Sequence, residues 1–112
     1  MTNSRKTALN PDVVAAPLKP YYSNAVRSDA GPLLWISGQV ALDAKGELVG
    51  KGDLRAQAVQ VLENIKGILE DSNATMDDIV KVTVYVTDIG AFNSIADIRE
   101  KYFPVFGPAS VI

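Results

Sequence analysis

Apolar and polar positions change period along this chain, and the changes mark its elements. From Ile79 to Thr87, Val80, Val82, Val84 and Val86 alternate with Lys81, Thr83, Tyr85 and Thr87. A period of two built on β-branched residues predicts a strand with one packed face. From Leu54 to Leu69 the apolar positions are Leu54, Ala58, Val61, Leu62, Ile65, Ile68 and Leu69. That spacing predicts a helix of roughly five turns with one apolar face. Asp53 is its expected N-cap, and Asp71-Ser72-Asn73 its end.

A second helix is predicted from Ala91 to Phe103, capped by Asp88 and stopped by Pro104. Phe92, Ile95, Ile98 and Tyr102 form its buried stripe. Leu33 to Leu42 reads as a buried strand, and Asp43-Ala44-Lys45-Gly46 folds it back on a partner at Glu47–Val49. A short strand is expected at Tyr22–Val26, and Thr75-Met76-Asp77-Asp78 has the form of a capping box around a single turn. Residues 1–20 hold Pro11, Pro17 and Pro20 and are expected to be irregular, with Arg5-Lys6 in a solvated tail. Ser110-Val111-Ile112 reads as the opening of a strand. The order β, β, β, α, β, α, β predicts one α+β domain over residues 1–112. A mixed sheet would carry both helices on one face. The other face needs cover, and copies of the same chain supply it most economically.

Composition narrows the chemistry. Apolar residues make up 47% and charged residues 21% of 112, a globular balance that argues against disorder. The formal charge is −2, without the clustered Lys and Arg of a nucleic-acid surface. No apolar run is long enough to span a bilayer, and Met1 to Pro11 lacks the apolar stretch of a signal peptide. A cytoplasmic protein that binds neither membrane nor nucleic acid is expected. The chain has no Cys and no His. Thiolate nucleophiles, Ser-His dyads and zinc sites of His or Cys are excluded. Acid–base work falls to Asp, Glu, Lys, Tyr or a held water.

Few residues stand out as chemistry. Gly38 in Ser37-Gly38-Gln39 allows a bulge or a close backbone approach, or opens backbone N–H groups to a ligand beside the Ser37 hydroxyl. Tyr21-Tyr22-Ser23-Asn24 carries four polar tips, read first as packing residues with bonded hydroxyls. Asp77, Asp78, Asp88, Asp97 and Glu100 read as caps or a solvated helix face, and Lys81 as a solvent-facing strand residue. Arg99 shares a helix face with Ala96 and reads as exposed.

Taken together, Tyr22-Ser23-Asn24-Ala25-Val26, Leu34-Trp35-Ile36-Ser37-Gly38-Gln39, Gln57 to Ile65, Lys81 to Asp88, Phe92 and Tyr102-Phe103-Pro104 resemble the Rid/YjgF family in order and spacing. The resemblance implies a chorismate-mutase-like fold and a homotrimer with a small-molecule pocket at each subunit interface. It also implies hydrolysis of reactive enamines and imines to 2-oxo acids and ammonia, without cofactor or metal. The family's pocket Tyr and Ser fall on Tyr22 and Ser37, the implied catalytic pair, with Gly38 beside them for substrate.

The departures are equally specific. Deaminating members carry an Arg after Pro-Ala that clamps a substrate carboxylate, and here Ser110 follows Pro108-Ala109. A family Asn falls on Ala96 and a thiol on Ile112. Further strands and the pocket Glu are implied beyond residue 112. Loss of a bidentate clamp costs roughly 2–5 kcal/mol of binding to a small anion, which argues against 2-imino acids as good substrates. Arg99, reaching the pocket from the face of Ala96, is the candidate replacement. The expected function is a cofactor-free deaminase or hydrolase of a small enamine, imine or related metabolite. The alternatives are a non-enzymatic ligand-binding or chaperone-like trimer and, against the acidic charge and missing His, an endoribonuclease.

Overall fold

The computed structural model describes residues 5–104 and 107–112. Its ladders are short and fall into two pairs. Strand β1 (Lys6–Leu9) runs antiparallel to β2 (Ala25–Ser28), with Ala8 opposite Val26. Strand β3 (Lys81–Thr83) runs parallel to β4 (Ala109–Val111), with Val82 opposite Ser110. A parallel bridge between Ser23 and Ala109 connects the pairs. Two helices complete the α+β arrangement: α1 (Leu54–Asp71) and α2 (Ala96–Tyr102), the latter entered through a 3₁₀ stretch over Ile89–Ile95. Among the described residues no helix is long and apolar enough to cross a membrane.

Local chemistry sets the helix ends. The Asp53 carboxylate accepts from the Ala56 N–H at 3.1 Å, as expected of an N-cap. Gly50, at φ 76°, turns the chain into α1, and a Cβ there would lie 2.7 Å from the Ala56 Cβ. At the other end the Ser72 N–H donates to the Leu69 carbonyl, and Asn73 takes the left-handed conformation at φ 57°. The second helix is only half α-helical. Asp88 caps it by accepting from the Gly90 N–H at 3.0 Å. The Ser94 hydroxyl donates to the Ala91 carbonyl, a local bond that competes with regular helix hydrogen bonding. A tighter 3₁₀ winding therefore precedes α2.

The core is Phe92, Ile95 and Ile98, packed against Leu54, Ala58 and Leu62 of α1, Val84, Val86 and Tyr102. The alternation at 80–87 appears as expected: the valines are half-buried, and Lys81, Thr83, Tyr85 and Thr87 are exposed. Only three of these residues form ladder pairs, because β4 supplies three partners.

Three expectations are corrected. Residues 1–20 are not irregular throughout, since β1 lies within them. Arg5-Lys6 is not a solvated tail. Lys6 is buried, donates from Nζ to the Ile79 carbonyl at 2.9 Å and lies 3.9 Å from Asp77, while Arg5 pairs with Asp78 at 2.7 Å. Burial pulls the Lys6 amine below its usual range, against the opposing charges of Asp77 and Asp78. Leu33 to Leu42 is not a buried strand. Among the described residues it has no ladder partner apart from a single bridge, Leu42 to Leu48. Apolar sequence favours a strand only where another edge accepts its N–H and C=O groups. Here Leu33, Leu34, Trp35 and Val40 stay exposed, Trp35 at 86%.

The tightest backbone approach is at Gly107. A Cβ on Gly107 would fall 2.0 Å from the Tyr21 carbonyl carbon and 2.4 Å from the Tyr22 nitrogen. Backbone cannot give way as a flexible side chain does. Gly107→Ala is expected to destabilise the protein by about 3 kcal/mol or more, the upper end of overpacking costs, measured by urea denaturation. A loss under about 1 kcal/mol would show that the two segments separate freely. Lys6→Ala is expected to cost about 1–3 kcal/mol by leaving the Ile79 carbonyl without its buried donor. A solvated tail would give no change in the same measurement.

Candidate functional site

The residues from Gly107 onward run between two other segments. On one side the Gly107 N–H donates to the Pro20 carbonyl, and the Ser23 N–H donates to the Pro108 carbonyl, each at 3.1 Å. On the other, the Ala109 N–H donates to Val80 and the Val84 N–H to Val111. This threading carries Ser110 to the helical layer. There Arg99 donates from Nη2 to the Ser110 hydroxyl at 3.0 Å. The guanidinium carbon also lies 4.4 Å from the Tyr21 ring centroid and 4.8 Å from that of Phe92.

Arg99 is 7% exposed, which corrects its reading as a surface residue. Among the described residues no carboxylate lies within ion-pair distance of it. Burial pulls its pKa down from the ordinary arginine value, with Tyr21 opposing, yet a guanidinium stays charged in proteins. Desolvating such an ion costs several kcal/mol. Cation–π contacts return about 0.5–2 kcal/mol each, and a hydrogen bond to a charged group about 1.5–3. A fork of five donors with one hydroxyl acceptor is far from saturated.

Tyr22 is half-buried, and its hydroxyl accepts from the Leu18 N–H at 3.1 Å. It lines a surface hollow of about 400 Å³ with Asn10, Pro17, Leu18, Lys19, Pro20 and Ser23. Ser23 is 3% exposed, and its hydroxyl has no hydrogen-bond partner among the described residues. Such buried orphans are rare and accompany a role or a missing partner. Ser37 lies elsewhere. It is exposed on the unpaired segment, its carbonyl accepts from the Gln39 amide at 3.3 Å, and it does not line the Tyr22 hollow. A Cβ on Gly38 would meet nothing within 4 Å, so Gly38 serves no close approach within the chain. The candidate residues therefore fall into three places. Arg99 and Ser110 meet, Tyr22 lies with its ring centroid 6.2 Å from that of Tyr21, and Ser37 with Gly38 stands apart.

The carboxylates are largely committed to structure. Asp78 accepts from the Thr75 N–H at 2.8 Å. Hydrogen bonds from Arg55 hold the Asp97 carboxyl at about 2. Among the described residues no three carboxylates gather into a metal site.

Sequence reasoning missed the partners of Arg99 and the buried Ser23. Arg99 did leave a signal: it falls four residues after Ile95 and seven after Phe92, on the apolar stripe rather than opposite it. Nothing in the sequence marks the orphaned Ser23 hydroxyl, which depends on how the Pro108 carbonyl meets its backbone.

This fold is shared with known proteins. The family model described as Endoribonuclease L-PSP matches residues 13–112. A RutC family protein of Pyrococcus horikoshii is 45% identical over 96 residues, which are 85% of this chain and 73% of that one. Protein DfrA of Myxococcus xanthus is 34% identical, covering 97% of this chain and 82% of its own. The crystal structure of YyfB from Yersinia pestis, of the conserved Rid protein family, superposes with a TM-score of 0.86 at 32% identity, covering 96% of this chain and 84% of that one. The class defined is thus a small α+β domain of the Rid type. The chain belongs to the Rid/YjgF family.

One titration tests the helical layer beside the site. The Tyr102 hydroxyl donates to Glu63, and burial, that bond and the Glu63 charge push its pKa up to about 12. The raised value means the folded state keeps this proton longer than the unfolded chain does. Its contribution to stability is whole below pH ~10 and is lost as pH rises toward 12. The difference between ultraviolet titrations of the protein and of Tyr102→Phe is expected to centre at about 12. A midpoint near 10 would show the Glu63 bond to be absent in solution.

Proposed function

We propose that this chain is the subunit of a homotrimeric, cofactor-free hydrolase that deaminates a small enamine or imine. In this reading water adds to the imine carbon, the C–N bond of the adduct breaks, and ammonia leaves as the carbonyl forms. Tyr22 hydrogen-bonds the reacting nitrogen. Ser37 and the backbone around Gly38 hold the water and the substrate. Family membership supports the reaction class.

The observation that carries the reading is the separation of Tyr22 from Ser37 within one chain. A pocket that needs both is completed when the Ser37 segment of one copy meets the Tyr22 hollow of another. Exposed Leu33, Leu34, Trp35 and Val40 fit that role, since apolar surface of this kind marks association sites. The second reading, a ligand-binding trimer without chemistry, draws on Ala96 and Ser110 at the family's Asn and Arg positions.

Two measurements test this. Light scattering is expected to give three times the chain mass of 12.0 kDa, and a monomer would remove the proposed pocket. Ammonia release from freshly generated imines is expected to exceed the uncatalysed rate and to fall about a hundredfold in Tyr22→Phe or Ser37→Ala. Folded trimer that binds an imine or its carbonyl product without turnover would favour the second reading. Cleavage of RNA by rigorously purified protein would displace both.

A further inference from the structure

We infer that the side-chain amides of Gln60 and Asn64 on α1 are positioning groups that set where Ser37 stands. This deepens the reading proposed above. It rests on that reading for the role of Ser37, though not for the hold on the segment that carries Ser37.

The starting point is a polar stripe that the helix does not need for itself. Gln57, Gln60 and Asn64 are spaced by three and four residues and so share one face of α1. All three are half-buried rather than solvated. Asn is a poor helix former, yet Asn64 stands in the middle of this helix. Its bonds account for it. Asn64 Nδ2 donates to the Val40 carbonyl at 3.3 Å and to the Leu42 carbonyl at 2.9 Å. Gln60 Nε2 donates to Asn64 Oδ1 at 2.7 Å, which turns the Asn64 nitrogen toward those carbonyls. The same Gln60 nitrogen donates to the Leu42 carbonyl at 3.4 Å. An amide nitrogen carries two donors, and each of these two nitrogens uses both. Gln57 extends the stripe by donating to the Gly50 carbonyl at 2.9 Å.

These bonds matter because the segment has little else. Among the described residues, Leu33 to Gln39 makes no hydrogen bond to another element. Its attachment begins at Val40–Leu42. There α1 donates to two carbonyls, and the Val49 N–H donates to that of Ala41 at 2.8 Å. Ser37 lies three residues before that anchor, a reach of at most about 11 Å. A tether this short confines the Ser37 hydroxyl without locking it, and contact with a second copy in the proposed trimer completes its placement. The helix thus acts on the site through the carbonyls of another segment and touches no substrate itself.

Trp35 makes the hold measurable, since it is the chain's one Trp, 86% exposed and two residues from Ser37. Time-resolved anisotropy of Trp35 is compared between the intact unmodified protein and Asn64→Leu, which keeps the side-chain size, favours the helix and removes both donors. The fast component of the decay is expected to grow in Asn64→Leu and to grow less in Gln60→Leu. In Asn64→Gln it is expected to return toward its original size. Ile65→Val, which trims the apolar face of the same helix, is expected to leave it unchanged. In turnover, Asn64→Leu is expected to lower kcat by up to about a hundredfold. In a Ser37→Ala background it is expected to have no further effect. An unchanged Trp35 decay in Asn64→Leu would overturn the inference, as would equal loosening in Ile65→Val or losses that multiply in the double variant. Loosening of Trp35 in a protein that releases no ammonia would remove the proposed reaction and leave the positioning standing.

Discussion

The backbone of Gly107–Val111 hydrogen-bonds to a different segment along each edge, and the rest of the structure is arranged around it. Pro20 and Ser23 lie on one side, Val80 to Val84 on the other. Among the described residues, the remaining attachments of the β1–β2 pair to the rest of the chain include Arg5 at Asp78, within the Met76–Asp78 turn, and Lys6 at Ile79, directly after it. Gly107 makes the crossing feasible, because only a residue without a Cβ lets two backbones approach so closely. The same crossing sets the position of Ser110. It brings a hydroxyl from a strand within bonding distance of a guanidinium from a helix, beside a ring contributed by a third segment. A site assembled from three elements on one backbone crossing is sensitive to that crossing.

Much of this was legible in the sequence, and the parts that were not share a cause. The period of two at 80–87, the apolar stripe of α1 and the caps at Asp53 and Asp88 are local signals, and local signals read correctly. The motifs of the Rid/YjgF resemblance are short and local too. The failures all concern what a segment meets. Leu33 to Val40 has the composition of a strand and no edge to join among the described residues. Lys6 looks like part of a tail, yet its amine finds a carbonyl seventy-three residues away. Arg99 looks like a surface residue until Phe92 and Ile95 are seen on the same stripe. Composition states what a residue prefers, and only tertiary pairing states whether the preference is met.

The exposed apolar segment and the incompletely partnered groups of the site are connected by one physical argument. Burying apolar area is worth about 25 cal/mol per Å², so Leu33, Leu34, Trp35 and Val40 represent a substantial driving force left unused in a single chain. The Ser23 hydroxyl and the Arg99 guanidinium represent the opposite, polar groups removed from water with too few acceptors or donors around them. In the proposed trimer, association covers the first, and the same contact brings the Ser37 segment of one copy to the Tyr22 hollow of another, so the drive to bury apolar area and the assembly of the pocket are one event.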